Sequence, residues 1–124
     1  MLHPFVASSV FAALIVLPLF PRLTFAQPSE QAAFRHEIRP GKIAEECRRV
    51  RTGELVRYSF RATQTVDFNI HFHRGNAVDY PVKLGNIAQS TSTFVAQSEE
   101  EYCWMWTNRA PEPVVVEGEL VRFN

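Results

Sequence analysis

Residues 56–73, VRYSFRATQTVDFNIHFH, decide the fold class of this chain. Apolar and polar residues alternate over 56–62, and the alternation recurs over 66–72. Successive side chains of a β-strand point to opposite faces, so a period of two predicts strands with one buried face. The intervening pair Gln64-Thr65 is short enough for a hairpin turn. The stretch therefore predicts two neighbouring antiparallel strands.

The same alternation continues toward the C-terminus. It recurs within residues 78–84, 102–107 and 114–123, and turn residues separate the runs. Segment 43–51 is a candidate helix that could equally be a strand. Turn signals spaced at about 8–12 residues are typical of sandwiches or barrels of antiparallel strands. We therefore expect an all-β fold, an antiparallel β-sandwich of about seven or eight strands.

The N-terminus has the layout of a signal peptide. Residues 5–20 are almost wholly apolar, and Thr24-Phe25-Ala26 places small residues three before and directly before a cut. The run is shorter than the roughly 20 residues of a membrane-spanning helix. No Lys or Arg precedes it, so a retained N-terminal anchor stays open as an alternative. We expect a signal peptide at 1–26, a flexible linker at 27–33 and one domain at 34–124.

Charge and cysteine content narrow the compartment and the class of partner. The chain carries 13 basic and 13 acidic residues, without the cationic excess that nucleic-acid binding requires. Its two cysteines, Cys47 and Cys103, both follow the expected leader. An even number of cysteines in an exported protein predicts a disulfide, whereas two free thiols would be expected in the cytosol. We expect an exported, periplasmic or secreted protein.

Four segments carry a family resemblance: Glu46-Cys47-Arg48, residues 53–60 (GELVRYSF), residues 66–70 (VDFNI) and residues 102–108 (YCWMWTN). Together they resemble the GOLD domain, the lumenal β-sandwich of cargo adaptors of the early secretory pathway. The resemblance implies a sandwich, a disulfide between the two cysteines, and contact with protein or lipid. The adaptors carry a coiled coil and a membrane helix after this domain. Neither follows here, so trafficking is not expected.

An aromatic stripe and a basic segment are the candidate ligand surface. Tyr102, Trp104 and Trp106 share one face of a predicted strand, where large rings either fill a core or line a ligand groove. If the disulfide were in the core, the tryptophans would face outward. The basic residues would suit anionic headgroups or an acidic partner, unless they pair with acids across strands. The basic candidates are Arg48, Arg49, Arg57 and Arg61.

His71-Phe72-His73 has metal-ligand spacing. Residues i and i+2 of a strand point to the same face, with Cα atoms roughly 6.5–7 Å apart, so two imidazoles can share one ion. A copper site would recruit Met105, with His36 as a further imidazole. A third ligand is not supplied locally, and the alternative is that the histidines line a solvated sheet face.

The serines lie in no nucleophile motif, so we expect no enzyme activity and no cofactor. The leading hypothesis is an exported, non-enzymatic, GOLD-like binding module that contacts protein or lipid in the cell envelope or outside the cell. Contact with a membrane would come only through an uncleaved leader or the basic residues. The alternative hypothesis is a periplasmic copper- or zinc-binding protein that uses the His-x-His strand.

Overall fold

The computed structural model describes residues 20–21 and 23–123, so most of the expected signal peptide 1–26 lies outside the described residues. No helix in this part of the chain is long and apolar enough to cross a membrane. Six strands make up the described fold: β1 (Pro28–Ile38), β2 (Ile43–Val50), β3 (Leu55–Arg74), β4 (Ala77–Val95), β5 (Glu100–Thr107) and β6 (Val114–Phe123).

All strand pairs are antiparallel and belong to one curled sheet with β3 at its centre. Residues 55–62 of β3 pair with β6, which also pairs with β1. Residues 67–71 of β3 pair with β5, which also pairs with β2. Strand β4 runs along the other edge of β3. The sheet therefore has two halves, and the long β3–β4 hairpin belongs to both.

The prediction of an all-β antiparallel fold is confirmed, but the expected seven or eight strands are six. The expected hairpin at Gln64-Thr65 does not form, because β3 continues through it and its register with β4 shifts there instead. Strand β4 likewise continues through Gly85-Asn86, where Asn86 takes a positive φ of 56°. The expected strands at 56–62, 66–72 and 78–84 are thus parts of one long bent hairpin, and the hydrogen-bonded strands form one sheet rather than the two of a sandwich.

Two shorter segments, at 28–33 and 43–51, are also strands. Residues 28–33, expected as part of a flexible linker, form the first part of β1 and pair with β6. Segment 43–51, for which the sequence left helix and strand open, contains strand β2, which pairs with β5 over its whole length. In both cases an edge strand makes its backbone hydrogen bonds with a strand that is distant in sequence. The local sequence does not indicate that partner, so the strand was not predictable from propensity alone.

Aromatic rings from both halves of the sheet meet in the core. The ring of Trp106 on β5 lies 4.7 Å from that of Phe34 on β1 and 5.5 Å from that of Phe60 on β3, between ring centroids. Gly118 on β6 faces Phe34 and Phe60, and a Cβ there would overlap the Ser59 carbonyl oxygen. A glycine is required because the backbone of β3 and the ring of Phe34 occupy the space of a side chain.

Side chains rather than backbone hydrogen bonds join the two edge strands β1 and β2. His36 Nε2 lies 2.8 Å from Glu46 Oε1, and Arg48 Nε lies 3.6 Å from Glu30 Oε1. Arg122 on β6 contacts both edge strands: its guanidinium lies 3.4 Å from Glu30 on β1 and donates a hydrogen bond of 2.7 Å to the backbone carbonyl of Arg49 on β2. Charged residues therefore lie along the gap between the two edge strands, β1 and β2.

Candidate functional site

The aromatic stripe of β5 belongs to the core. Tyr102, Trp104 and Trp106 are each no more than 1% exposed, so they do not form an exposed ligand surface. Tyr102 lies between the rings of Phe72 and Phe94, at 5.0 and 4.8 Å between centroids. The indole nitrogens of both tryptophans are buried without a hydrogen-bond partner among the described residues. The stripe therefore stabilises the fold, and the side chains that alternate with it along β5 face outward.

The four candidate arginines do not assemble into one basic patch. Arg48 and Arg49 are neighbours on β2 and point to opposite sides. Arg48 lies 3.1 Å from Glu46, and Arg49 lies 3.3 Å from Glu99. The guanidinium of Arg57 lies over the ring of Phe123 at 5.6 Å. Arg61 lines a shallow groove on the outer side of β3, together with an acidic residue of β6. The cationic charges are thus dispersed and mostly beside acids.

The two cysteines form the expected disulfide, and they are directly opposite each other on β2 and β5. Cys103 points away from the tryptophans, because neighbouring residues of a strand alternate between faces. The disulfide therefore lies on the outer face of the sheet half formed by β2, β5, the second half of β3 and the first half of β4. Its position outside the aromatic core rules out the arrangement in which the tryptophans would face outward.

This outer face collects most of the polar side chains that are candidates for function. Opposite residues of paired strands share a face, and the register places Glu45 beside Met105, Met105 beside Asn69, and Asn69 beside Lys83. The next row places Cys103 beside His71. We call this surface the histidine face; its members are Ile43, Glu45, Asn69, His71, His73, Tyr80, Lys83 and Met105.

His71 is the most constrained residue of the histidine face. Its side chain is buried, and its ring lies 5.3 Å from that of His73 and 5.7 Å from that of Tyr80, between centroids. Nδ1 lies 2.8 Å from Asn69 Oδ1. Because that amide oxygen can only accept, the imidazole donates its proton from Nδ1 and keeps the lone pair on Nε2. Nε2 lies 3.9 Å from a carboxylate oxygen of Glu45.

Burial lowers the pKa of His71 below its usual value of 6.5. The charge of Glu45 raises this pKa and the charge of His73 lowers it further, each by less than burial does. Desolvation therefore dominates, and the imidazole is held neutral at neutral pH. A neutral imidazole with a fixed tautomer is the form of histidine that ligates metals.

The structure assembles the predicted metal ligands in part. The rings of His71 and His73 are in contact, but Met105 is in the adjacent row, beside Glu45 and Asn69. His36 lies away from the histidine face, against Glu46. The group that falls within a metal's reach is Glu45, His71 and Cys103, with ligand atoms within 4.8 Å of one another. The sulfur of Cys103 is in the disulfide, so within this group a metal would draw on the Glu45 carboxylate and the His71 imidazole.

A groove of about 400 Å³ adjoins the histidine face. Arg109 and Asp67 lie at one side, joined by a hydrogen bond of 2.9 Å that holds the pKa of Asp67 below its usual value, with help from the backbone N–H of Asn86. Lys83 lies over the ring of Tyr80 at 4.7 Å. Two apolar side chains that line the groove are exposed, Tyr80 at 45% and Leu84 at 40%. Ile43 on β2 and Val78 on β4 are 54 and 38% exposed in the same sheet half.

The outer face of the other sheet half differs in chemistry. Its groove, of about 600 Å³, is lined mainly by hydroxyl, amide and charged side chains from β3, β4 and β6. Within the six strands, the exposed large apolar residues lie in the sheet half that carries the histidine face, with the exception of Val95. The two outer faces therefore offer a polar surface on one side and a mixed apolar and charged surface on the other.

Sequence reasoning identified the two histidines but not their neighbours. Glu45, Tyr80 and Lys83 come from strands whose pairing with β3 or β5 is not readable from local pattern. Asn69 is the exception. Its spacing of two residues from His71 predicts that both side chains lie on one face of the strand. The register of β2 and β4 was the missing information.

Two solved structures have a similar fold. No protein-family model matches the chain, and no curated protein matches it. Among solved structures, the periplasmic inhibitor of g-type lysozyme PliG from Aeromonas hydrophila matches 81% of this chain and 92% of its own, with a TM-score of 0.57 at 14% identity. The Yersinia pseudotuberculosis-derived mitogen YPM matches 77% of this chain and 86% of its own, with a TM-score of 0.56 at 14% identity. These likenesses show a shared fold.

Proposed function

We propose that this protein is an exported, non-enzymatic binding module whose partner is a folded protein, and that the histidine face is its docking surface. The observation that carries the proposal is a groove lined by two exposed apolar side chains, Tyr80 and Leu84, together with the cationic Lys83 and Arg109. Aromatic residues, methionine and arginine are enriched at protein interfaces, where apolar centres have polar rims. The disulfide supports export, because disulfides persist in oxidising compartments.

The scaffold supports the same function. Tyr80, Lys83 and Met105 stand on paired strands rather than on loops, and the ring of Tyr80 packs between His71 and Lys83. Side chains that are already ordered lose little conformational freedom when a partner docks. The histidine face is therefore preorganised for binding.

A lysozyme is the first partner to test, because PliG, which shares this fold, is an inhibitor of g-type lysozyme. Titration calorimetry of this protein with a g-type lysozyme is the experiment. We expect binding that Tyr80→Ala weakens about tenfold or more, as expected for an aromatic hot spot. Arg35→Ala is the matched control, since Arg35 is exposed on β1 in the other sheet half. No binding at about 100 μM, or equal weakening by both variants, would contradict the proposal.

A GOLD-type relationship with a lipid partner is a narrower form of this proposal and stays a prediction. It rests on the segments around Cys47 and Cys103. Cosedimentation with anionic phospholipid vesicles tests the lipid part: binding that falls in the Arg49→Ala/Arg57→Ala variant would support it. Recovery of all protein in the supernatant at low salt, where electrostatic attraction is strongest, would refute it.

Metal binding is the second candidate function, and the geometry of His71 is the observation that favours it. Metal-ligating histidines donate their other ring N–H to an oxygen acceptor, as His71 does to Asn69. Its free Nε2 is directed toward Glu45, and His73 is in ring contact. Copper or zinc are the ions that imidazole and carboxylate ligands suit.

Melting temperature measured with and without Cu²⁺, Ni²⁺ or Zn²⁺ tests this second function. A metal that binds the folded state raises the melting temperature as its concentration exceeds the Kd. We expect that rise in the natural chain and in His36→Ala, and its loss in His71→Ala/His73→Ala. A rise that survives in the double variant, or no rise in the natural chain, would refute metal binding at this face.

A further inference from the structure

We propose that a second copy of this chain pairs with the free edge of β4, strand against strand, over residues 89–93. Strand β4 is hydrogen-bonded to β3 along one edge, and no other strand of the described residues pairs with it. An unpaired strand edge presents a row of backbone N–H and C=O groups that can accept another strand. Self-association at this edge is independent of the docking surface proposed above.

The composition of β4 sets its second half apart. Residues 84–98, LGNIAQSTSTFVAQS, contain no charged residue and no proline. Proteins commonly protect exposed edges with charges, prolines or bulges. In the first half of β4, Asp79, Pro81 and Lys83 supply that protection, and the register shift between Leu84 and Ile87, where Asn86 has a positive φ, forms an irregularity. The residues of β4 that follow contain neither a charged residue nor a proline.

The other edges of the sheet are covered. Strands β1 and β2 each carry charged side chains, and these bridge the two strands through the His36–Glu46 and Arg48–Glu30 contacts. A partner strand at either edge would have to displace these side chains. Among the described strands, β4 therefore has the edge that an incoming strand reaches at the lowest cost.

The sequence of the free segment is complementary to itself. If two copies pair antiparallel about a twofold axis at Thr91, that residue faces its own copy, Gln89 faces Thr93, and Ser90 faces Ser92. Directly opposed threonine and serine side chains stabilise antiparallel pairs through hydrogen bonds, and no like charges oppose each other. Isologous pairing of this kind closes after two copies. These features favour a second copy over a charged partner peptide.

Charge placed on the axis tests the pairing. In a symmetric pair, Thr91→Lys opposes lysine to lysine and Thr91→Glu opposes glutamate to glutamate, which destabilises opposite positions of paired strands. We expect light scattering to show dimer formation by the full natural chain as its concentration rises to about 1 mM. Each variant should stay monomeric, and an equimolar mixture of the two should dimerise. Ala77→Lys, which adds the same charge at the start of β4, is the control and should dimerise.

Hydrogen exchange on the natural chain tests the same pairing without a substitution. We expect backbone amides within residues 89–93 to exchange more slowly at high than at low protein concentration. A chain that is monomeric throughout would overturn the proposal, and so would a dimer that both charge variants retain. A mixture of the two variants that stays monomeric, or slowed exchange confined to other strands, would also overturn it.

Discussion

Removal of the disulfide by Cys47→Ala/Cys103→Ala should cost much of the stability of this domain. The two cysteines are 56 positions apart, so the bond closes a long loop across β3 and β4. In the chain-entropy relation, closing a loop of that length removes roughly 14 cal/mol/K from the unfolded chain, or about 4 kcal/mol at 25 °C. Small domains are stable by roughly 5–15 kcal/mol. The variant should therefore be folded but close to its limit.

Urea unfolding followed by the fluorescence of Trp104 and Trp106 measures this loss, because both indoles are fully buried in the core. The expected result is a fall of about 4 kcal/mol in the free energy of unfolding. The natural chain treated with a dithiol reductant should show the same fall. A fall below about 1 kcal/mol in both samples would refute the loop-entropy reasoning. A fall in the variant alone would show that the substitution, not the lost bond, is responsible.

Three further predictions concern the core, a buried turn and pH. Gly118→Ala should lower the free energy of unfolding by about 2 kcal/mol or more, because its Cβ would overlap the backbone of β3. Gly85→Ala, whose Cβ would meet its nearest atom at 3.4 Å, is the control and should have little effect. Equal losses of stability in urea unfolding of the two variants would contradict this reasoning. Asn108→Ala should cost about 2–3 kcal/mol in the same assay, since this buried amide makes three hydrogen bonds to backbone, two to carbonyls and one from the N–H of Ala110. A loss below about 0.5 kcal/mol would show that these bonds carry little weight. The pKa of His71 is lower in the folded than in the unfolded chain, so the unfolded chain takes up this proton first and stability falls as pH drops below 6.5. His71→Gln should show a smaller fall in stability between about pH 7.5 and pH 5.5, and an unchanged fall would refute the assignment.

The period-two pattern of apolar residues was enough to predict the fold class and to predict which alternate side chains of β3 are buried. Residues 56–62 and 66–72 alternate as expected, and Val56, Phe60, Phe68 and Ile70 are buried. The strand count was not predictable from local pattern, because Gln64-Thr65 resembles a turn but lies within β3, at a register shift between the pairs that Arg61 and Val66 make with β4. Tertiary pairing overrode local turn preference.

The candidate site was predictable along β3 and not across strands. The spacing of His71 and His73 predicted that they share a face, and their rings are in contact. The positions of Glu45 and Tyr80 beside them depend on the registers of β2 and β4. A hydrophobic pattern predicts which face of a strand is buried, but not which residue of a neighbouring strand lies opposite. The basic residues show the converse: nearness in sequence suggested one patch, and strand alternation sends Arg48 and Arg49 to opposite sides.

Site-specific photo-crosslinking in the producing cell tests the central claim, that the histidine face binds a protein partner, most directly. A photoreactive phenylalanine analogue at Tyr80, which is 45% exposed, samples this face, and the same analogue at Arg35 samples the other sheet half. The account predicts a discrete covalent adduct with another protein from position 80 and none from position 35. Adducts of equal yield at both positions, or none at position 80, would contradict it.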